Sequence, residues 1–200
     1  MELLSPWWRS PAWEIDTGFN PAFNIALTQE IHDIGKWISS GIDGNVKVSL
    51  WDYSRPHLDI LKKYILEKSL EMVTRDIPEV SELNLKLQYS MGWVNVKGPG
   101  EFIEAHAHND ASLTATYYVK APEDCGDIVL YSYDGFKKIK PKAGKLVIFP
   151  AYVMHEVERN RSDKLRISLS TDMQQVVDAD APNAMVIKSW ADSFKRLSNV

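Results

Sequence analysis

Two hundred residues with 44% hydrophobic and 25% charged side chains suit one folded domain with chain enough for a sizeable core. A formal net charge of -4 excludes a chain-wide electrostatic grip on nucleic acid, and the lack of any long apolar run excludes a transmembrane helix. The opening "MELLSPWWRSPAW" lacks the basic-then-apolar order of a secretory signal, and the lone Cys125 rules out an internal disulfide framework, so a cytoplasmic protein is expected.

Trp7, Trp8 and Trp13 crowd the N-terminus and are expected to pack as an arm on the domain. "NPAFNIALTQEIHDIGKWI" predicts a helix, with Asn20 as N-cap, Pro21 at the first helical position, and Phe23, Leu27, Ile31, Ile34 and Ile38 as its apolar stripe. "GIDG" predicts a turn. "SRPHLDILKKYILEKSLEMV" predicts a second helix with Leu58, Leu61, Ile65 and Met72 inward. His32 and His57 lie on these helices and carry no expected chemistry.

From residue 84 the apolar period falls to two. "NLKLQYSMGWVNV" places Leu85, Leu87, Tyr89, Met91 and Trp93 on one face of a strand. "KGPGE" is a turn, and strands are expected at "SLTATYYVKA", "GDIVLYS", "KLVIFPAYVMHEV" and "LRISLST". "PEDCGD" reads as a turn with a partly exposed spectator Cys125. The lysines of "GFKKIKPKAGK" suit a solvated or edge strand. Short strands without intervening helices predict a mainly β fold with N-terminal helices, its core an antiparallel barrel or jelly roll. One domain spans 1–200: helical support over 1–83, jelly-roll core over 84–172, and a C-terminal extension over 173–200 without a decisive pattern.

Chemistry concentrates in "HAHND" and around His155. Residues two apart on a strand point the same way, so His108 and Asp110 can chelate one ion, and His106 shares their parity. With His155 as a distant third ligand, two histidines and a carboxylate would leave coordination positions open. After the turn "ERNRSD", the strand "LRISLS" sets Leu165, Ile167 and Leu169 on one side and Arg166, Ser168 and Ser170 on the other. If the second side is a barrel interior, Arg166 needs an anion, which its guanidinium can hold by two parallel bonds with Ser168 adding a third. If that side is solvated, Asp163 or Asp172 can pair with Arg166.

"HND", "LTATYYV", "CGDIVLY", "KPKAGKLVIFPAYVMHEV" and "LRIS", in this order, resemble the Fe(II)- and 2-oxoglutarate-dependent oxygenase superfamily. Within it they resemble the prolyl-hydroxylase-like branch and its phage and bacterial relatives. The resemblance spans about residues 85–172 and implies a double-stranded β-helix, a cupin-like jelly roll. It further implies His108, Asp110 and His155 as iron ligands, Arg166, Ser168 and Tyr118 on the distal carboxylate of 2-oxoglutarate, and Gly144 and Pro150 shaping the approach to His155. Relatives often read "HxHP" with a variable residue at the Asp110 position, which makes His106 the alternative ligand.

The implied reaction takes Fe(II), 2-oxoglutarate and O2, hydroxylates a C–H bond of a small metabolite, amino acid or peptide side chain, and releases succinate and CO2. Nucleic acid and membrane are not expected partners, and a homodimer is left open. The competing class is a cupin-like metal-binding barrel or a 2-oxoglutarate-independent, three-histidine dioxygenase, from which Arg166 and Ser168 discriminate.

Overall fold

A computed structural model of the chain describes residues 12–34, 50–77, 86–108, 110–132 and 135–176. Among these are two α-helices and nine strands in two antiparallel sheets. Trp7, Trp8, Ile38, "GIDG", Leu85 and the C-terminal tail lie outside them.

Helix α1 runs Pro21–Ile34 and α2 runs Pro56–Asp76. Asn20 caps α1 as its spacing predicts, its Oδ1 accepting the Phe23 N–H at 2.9 Å. Helix α2 begins after Arg55, which offers no side-chain cap. Glu30 of α1 takes that role from outside: its carboxylate accepts the His57 and Leu58 N–H groups, each at 3.0 Å, and sits 2.7 Å from His57 Nδ1. Burial opposes ionisation of Glu30, but the bonds from His57 and Leu58 outweigh it and hold the carboxyl below its ordinary 4.5. A depressed carboxyl stabilises the fold above its unfolded pKa, and that contribution fades as pH falls through the lower folded value. Glu30→Gln is therefore expected to cost about 1–2 kcal/mol at neutral pH. Urea midpoints of variant and wild type should draw together as pH falls below the ordinary carboxyl range.

The five-stranded sheet has the order β1-β7-β4-β9-β2, with β1 Trp13–Asp16, β7 Lys145–Pro150, β4 Leu113–Lys120, β9 Arg166–Val176 and β2 Lys86–Lys97. The four-stranded sheet has the order β3-β8-β5-β6, with β3 Ile103–His106, β8 His155–Val157, β5 Ile128–Ser132 and β6 Gly135–Ile139. Two cores follow from the alternation of side chains along the strands. Leu27 and Ile31 of α1 and Leu58, Leu61 and Ile65 of α2 pack with Ala115, Tyr117, Leu146, Ile148, Ile167 and Leu169 on the outer face of the larger sheet. Tyr118, Ile128, Leu130, Val147, Phe149 and Val157 fill the space between the sheets. Of the tyrosine pair, Tyr117 thus serves the helix side, its hydroxyl 2.6 Å from Asn24 Oδ1, and Tyr118 the interior.

Three local features depart from the sequence reading. The first segment is not wholly helical, because β1 joins the larger sheet and buries Trp13, whose Nε1 donates to Asp76 Oδ2 at 2.6 Å. The apolar run leading to His155 is two strands, not one. Pro150 ends β7, the Val153 N–H closes a turn on the Pro150 carbonyl at 3.0 Å, and His155 opens β8 in the opposite sheet. Along β2 a bulge at Ser90 separates the pairs Tyr89↔Met173 and Met91↔Asp172. Leu87 and Tyr89 therefore face the helices, while Trp93 falls on the interior face.

Strand β6 is an edge, as its lysines predict. Lys137 pairs with Glu14, Lys138 with Glu158, Lys140 with Glu123 and Lys142 with Asp16. These cations are solvated structural partners rather than a binding patch.

Candidate metal centre and anion clamp

Strands β3 and β8 pair His106 directly with His155. His108 lies just past β3, and its N–H donates to the Ala151 carbonyl at 2.9 Å, which ties it to the turn between β7 and β8. These contacts gather three imidazoles. Ligand-capable nitrogens of His106, His108 and His155 all lie within 4.8 Å of one another. The Asp110 carboxylate is not part of this group. Asp110 is exposed in the turn before β4, with its carbonyl accepting Gln174 Nε2 at 2.9 Å.

The hydrogen bonds decide which nitrogens are free. His106 Nδ1 is 2.8 Å from the Glu104 carbonyl, His155 Nδ1 is 2.9 Å from the Val153 carbonyl, and His108 Nδ1 is 2.8 Å from Asp172 Oδ2. Each partner can only accept, so each Nδ1 carries a proton, and in the neutral ring it is Nε2 that offers a lone pair. Among the described residues, His108 Nε2 is buried with no hydrogen-bond partner. A buried orphan nitrogen costs about 1–3 kcal/mol unless something occupies it. Burial pushes His155 down to about 4 against the opposing pull of the Val153 carbonyl, and burial also lowers His106. Neutral imidazoles at physiological pH are the form that ligates a metal. Two nitrogens each about 2.1 Å from one ion are about 3 Å apart at a right angle, so modest side-chain shifts would close this set on a divalent cation. The residues fit a metal.

The interior face of the larger sheet carries a polar stripe away from this centre. Register sets Asp172 opposite Thr114, Ser170 opposite Thr116 and Ser168 opposite Tyr118, with Trp93, Asn95 and Lys97 on the other flank of β9. Thr116 Oγ1 and Ser170 Oγ are 3.0 Å apart, and Asn95 Nδ2 donates to Ser170 Oγ at 3.1 Å. The stripe ends on Arg166, which is 1% exposed, with Ser168 and Tyr118 equally buried. Arg166 Nη1 donates to the Gly126 carbonyl at 3.3 Å, while its Nε is buried without a partner among the described residues. Burial lowers the guanidinium's pKa, and the groups that favour its charge are Tyr118 and Cys125, neither of them a carboxylate. An isolated buried cation costs several kcal/mol, so this chamber suits an anionic occupant.

The turn beneath Arg166 explains Cys125, which is 2% exposed rather than partly open. Asp124 and Gly126 adopt left-handed backbone, and the Glu158 and Arg161 N–H groups bond back to the Asp127 and Asp124 carbonyls, sealing the thiol inside. A Cβ at Gly126, where φ is +86°, would stand 2.1 Å from the Glu158 carbonyl oxygen. Gly126→Ala is expected to lose more than about 2 kcal/mol from backbone strain and this clash. The loss is read as a lowered thermal midpoint, with weaker anion binding because the carbonyl under Arg166 moves.

Sequence reasoning assigned no role at the site to Trp93, Lys97, Gly126 or Asp172. The bulge hid the facing of Trp93. Asp172 shares the parity of Arg166 along β9, which was the signal available, but it reaches His108 rather than Arg166.

Residues 91–138 and 132–172 match the sequence model of the family described as "Putative 2OG-Fe(II) oxygenase". No curated protein matches the chain. The crystal structure of a Pseudomonas putida prolyl-4-hydroxylase is similar with a TM-score of 0.57 at 18% identity, over 84% of this chain and 90% of that one. The viral collagen prolyl hydroxylase of Paramecium Bursaria Chlorella virus-1, in its 2OG complex, gives 0.59 at 18% identity over 84% and 96% of the two chains. HygX from Streptomyces hygroscopicus, with nickel and 2-oxoglutarate bound, gives 0.58 at 11% identity over 86% and 87%. The two sheets are those of a double-stranded β-helix, as the sequence resemblance implies. The match to that family's sequence model thus spans residues 91–172, most of the β core, and the fold is similar to that of these solved oxygenase structures.

Proposed function

We propose that this chain is an Fe(II)- and 2-oxoglutarate-dependent dioxygenase that hydroxylates a C–H bond of a small molecule or peptide side chain. The observation that carries the reading is the pairing of two features inside one barrel: three clustered imidazoles, and a buried guanidinium without a carboxylate partner among the described residues. When bound, ferrous iron with 2-oxoglutarate and O2 supplies the oxidative decarboxylation to succinate and CO2 that drives hydroxylation.

The protein's part is to hold and orient. His106, His108 and His155 would hold the ion through Nε2, and Asp110 competes with His106 for the third place. Arg166 would take the distal carboxylate of 2-oxoglutarate, with Ser168 and Tyr118 beside it, and Lys97 lies opposite Arg166 in the register as a second cation. Val147, Phe149 and Val157 keep water from the interior. Among the described residues no helix is long and apolar enough to cross a membrane. The net charge of -4 favours a metabolite or peptide over nucleic acid, and the lone cysteine a cytoplasmic setting.

Anaerobic reconstitution with Fe(II), followed by titration with 2-oxoglutarate, tests the reading. A weak visible charge-transfer band is expected. Iron binding without that band would overturn the 2-oxoglutarate assignment and favour a three-histidine dioxygenase or a metal-binding barrel.

A further inference from the structure

Three imidazoles bring no negative charge to a divalent ion, yet a carboxylate stands one bond away. Asp172 places Oδ2 2.8 Å from His108 Nδ1, and its Oδ1 accepts the Thr114 hydroxyl at 2.8 Å. Both oxygens are therefore engaged and the carboxylate cannot swing. Its side chain is 16% exposed, against 12% for that of His108. Asp172 is not a member of the ligand group. On the other side, the Trp93 indole stacks on the His108 ring with centroids 5.5 Å apart and planes 21° from parallel. The ring is thus pinned at Nδ1 by a charge and across its face by an aromatic plane, and Nε2 is left with one direction in which to point.

We infer that Asp172 is a positioning residue that lends the centre, through His108, the anionic character its three imidazoles lack, with Thr114 fixing the carboxylate. A carboxylate that accepts the outer N–H of a ligating histidine orients the ring, fixes its tautomer and raises its basicity. The β4–β9 register supplies the geometry, because Thr114 and Asp172 are directly opposed. The inference rests on the metal centre proposed above and adds the source of its charge.

The test is titration of the full chain with Co(II) and, anaerobically, Fe(II), against a competing chelator. Asp172→Asn keeps size and an acceptor oxygen but removes the charge. It is expected to weaken binding by about 10–100-fold, to shift the Co(II) ligand-field bands, and to move the His108 Nδ1–H resonance upfield. Thr114→Val leaves the carboxylate in place but unanchored and should weaken binding in the same direction by about threefold to tenfold. It decides the matter if the Asn variant does not fold. Binding within about twofold of wild type and unchanged Co(II) bands would overturn the role of Asp172. Failure of the wild type to bind either ion is a different result, and it would sink the metal centre itself.

Discussion

Alanine at His108 or His155 is expected to abolish metal binding at the centre while leaving the fold intact. Each ring supplies one of the three converging nitrogens, and a two-imidazole remnant keeps neither the geometry nor the donor count of the set. The loss should exceed the roughly 10–100-fold typical of outer partners and reach on the order of 10³-fold. The third place is settled by the companion pair. His106→Ala should behave like the other two histidine variants, and Asp110→Ala should bind as wild type, because the Asp110 carboxylate stands outside the cluster. The reverse pattern, with Asp110→Ala losing the metal and His106→Ala retaining it, would establish the two-histidine, one-carboxylate centre instead. Isothermal titration with Co(II), with far-ultraviolet circular dichroism on each variant, reads all of these outcomes.

Arg166→Met should produce two effects of opposite sign. The 2-oxoglutarate needed to half-saturate the visible band is expected to rise by about 30-fold to 5,000-fold, the equivalent of about 2–5 kcal/mol for a desolvated charge pair. In the absence of cosubstrate the variant should be at least as thermally stable as wild type. A buried guanidinium whose Nε has no partner is a cost that an apolar side chain of similar length removes, and such exchanges are often neutral or stabilising by about 1–4 kcal/mol. A structural arginine would show the reverse, with a lower melting point and an unchanged requirement for 2-oxoglutarate. Thermal melts with and without the cosubstrate separate the two.

Much of the fold was legible because it is written in periodicity. The Asn20 cap, the stripe through Leu27 and Ile31 and the alternation around Ile167 and Leu169 each follow from local geometry that one stretch of chain specifies. The parity of β9 also set Arg166 and Ser168 on the face opposite Ile167 and Leu169, though not whether that face was interior or solvated. What stayed hidden depends on events that shift a register or join distant segments. The break at Pro150 moved His155 into the second sheet, where it meets His106 across a pair that no spacing rule foresees. The departure of the chain from β3 after His106 left Asp110 in an exposed turn, so a parity argument that assumes continuous strand past His108 did not apply there. Strand β6 and its acidic partners were visible only as lysines, because Glu14 and Glu158 come from far along the chain.

The extra residue at Ser90 gives β2 two reading frames. Before it, odd-numbered positions serve the helices; after it, the same parity serves the interior, and Trp93 arrives beside His108. Deleting Ser90 would therefore act as a spatial frameshift. Whichever half kept its pairing, the other would turn inside out, offering either Trp93 to the helices or Leu87 to the barrel. Length at this one position is thus a form of information separate from side-chain identity. Insertions and deletions near Ser90 should prove far more damaging than any substitution of the serine itself.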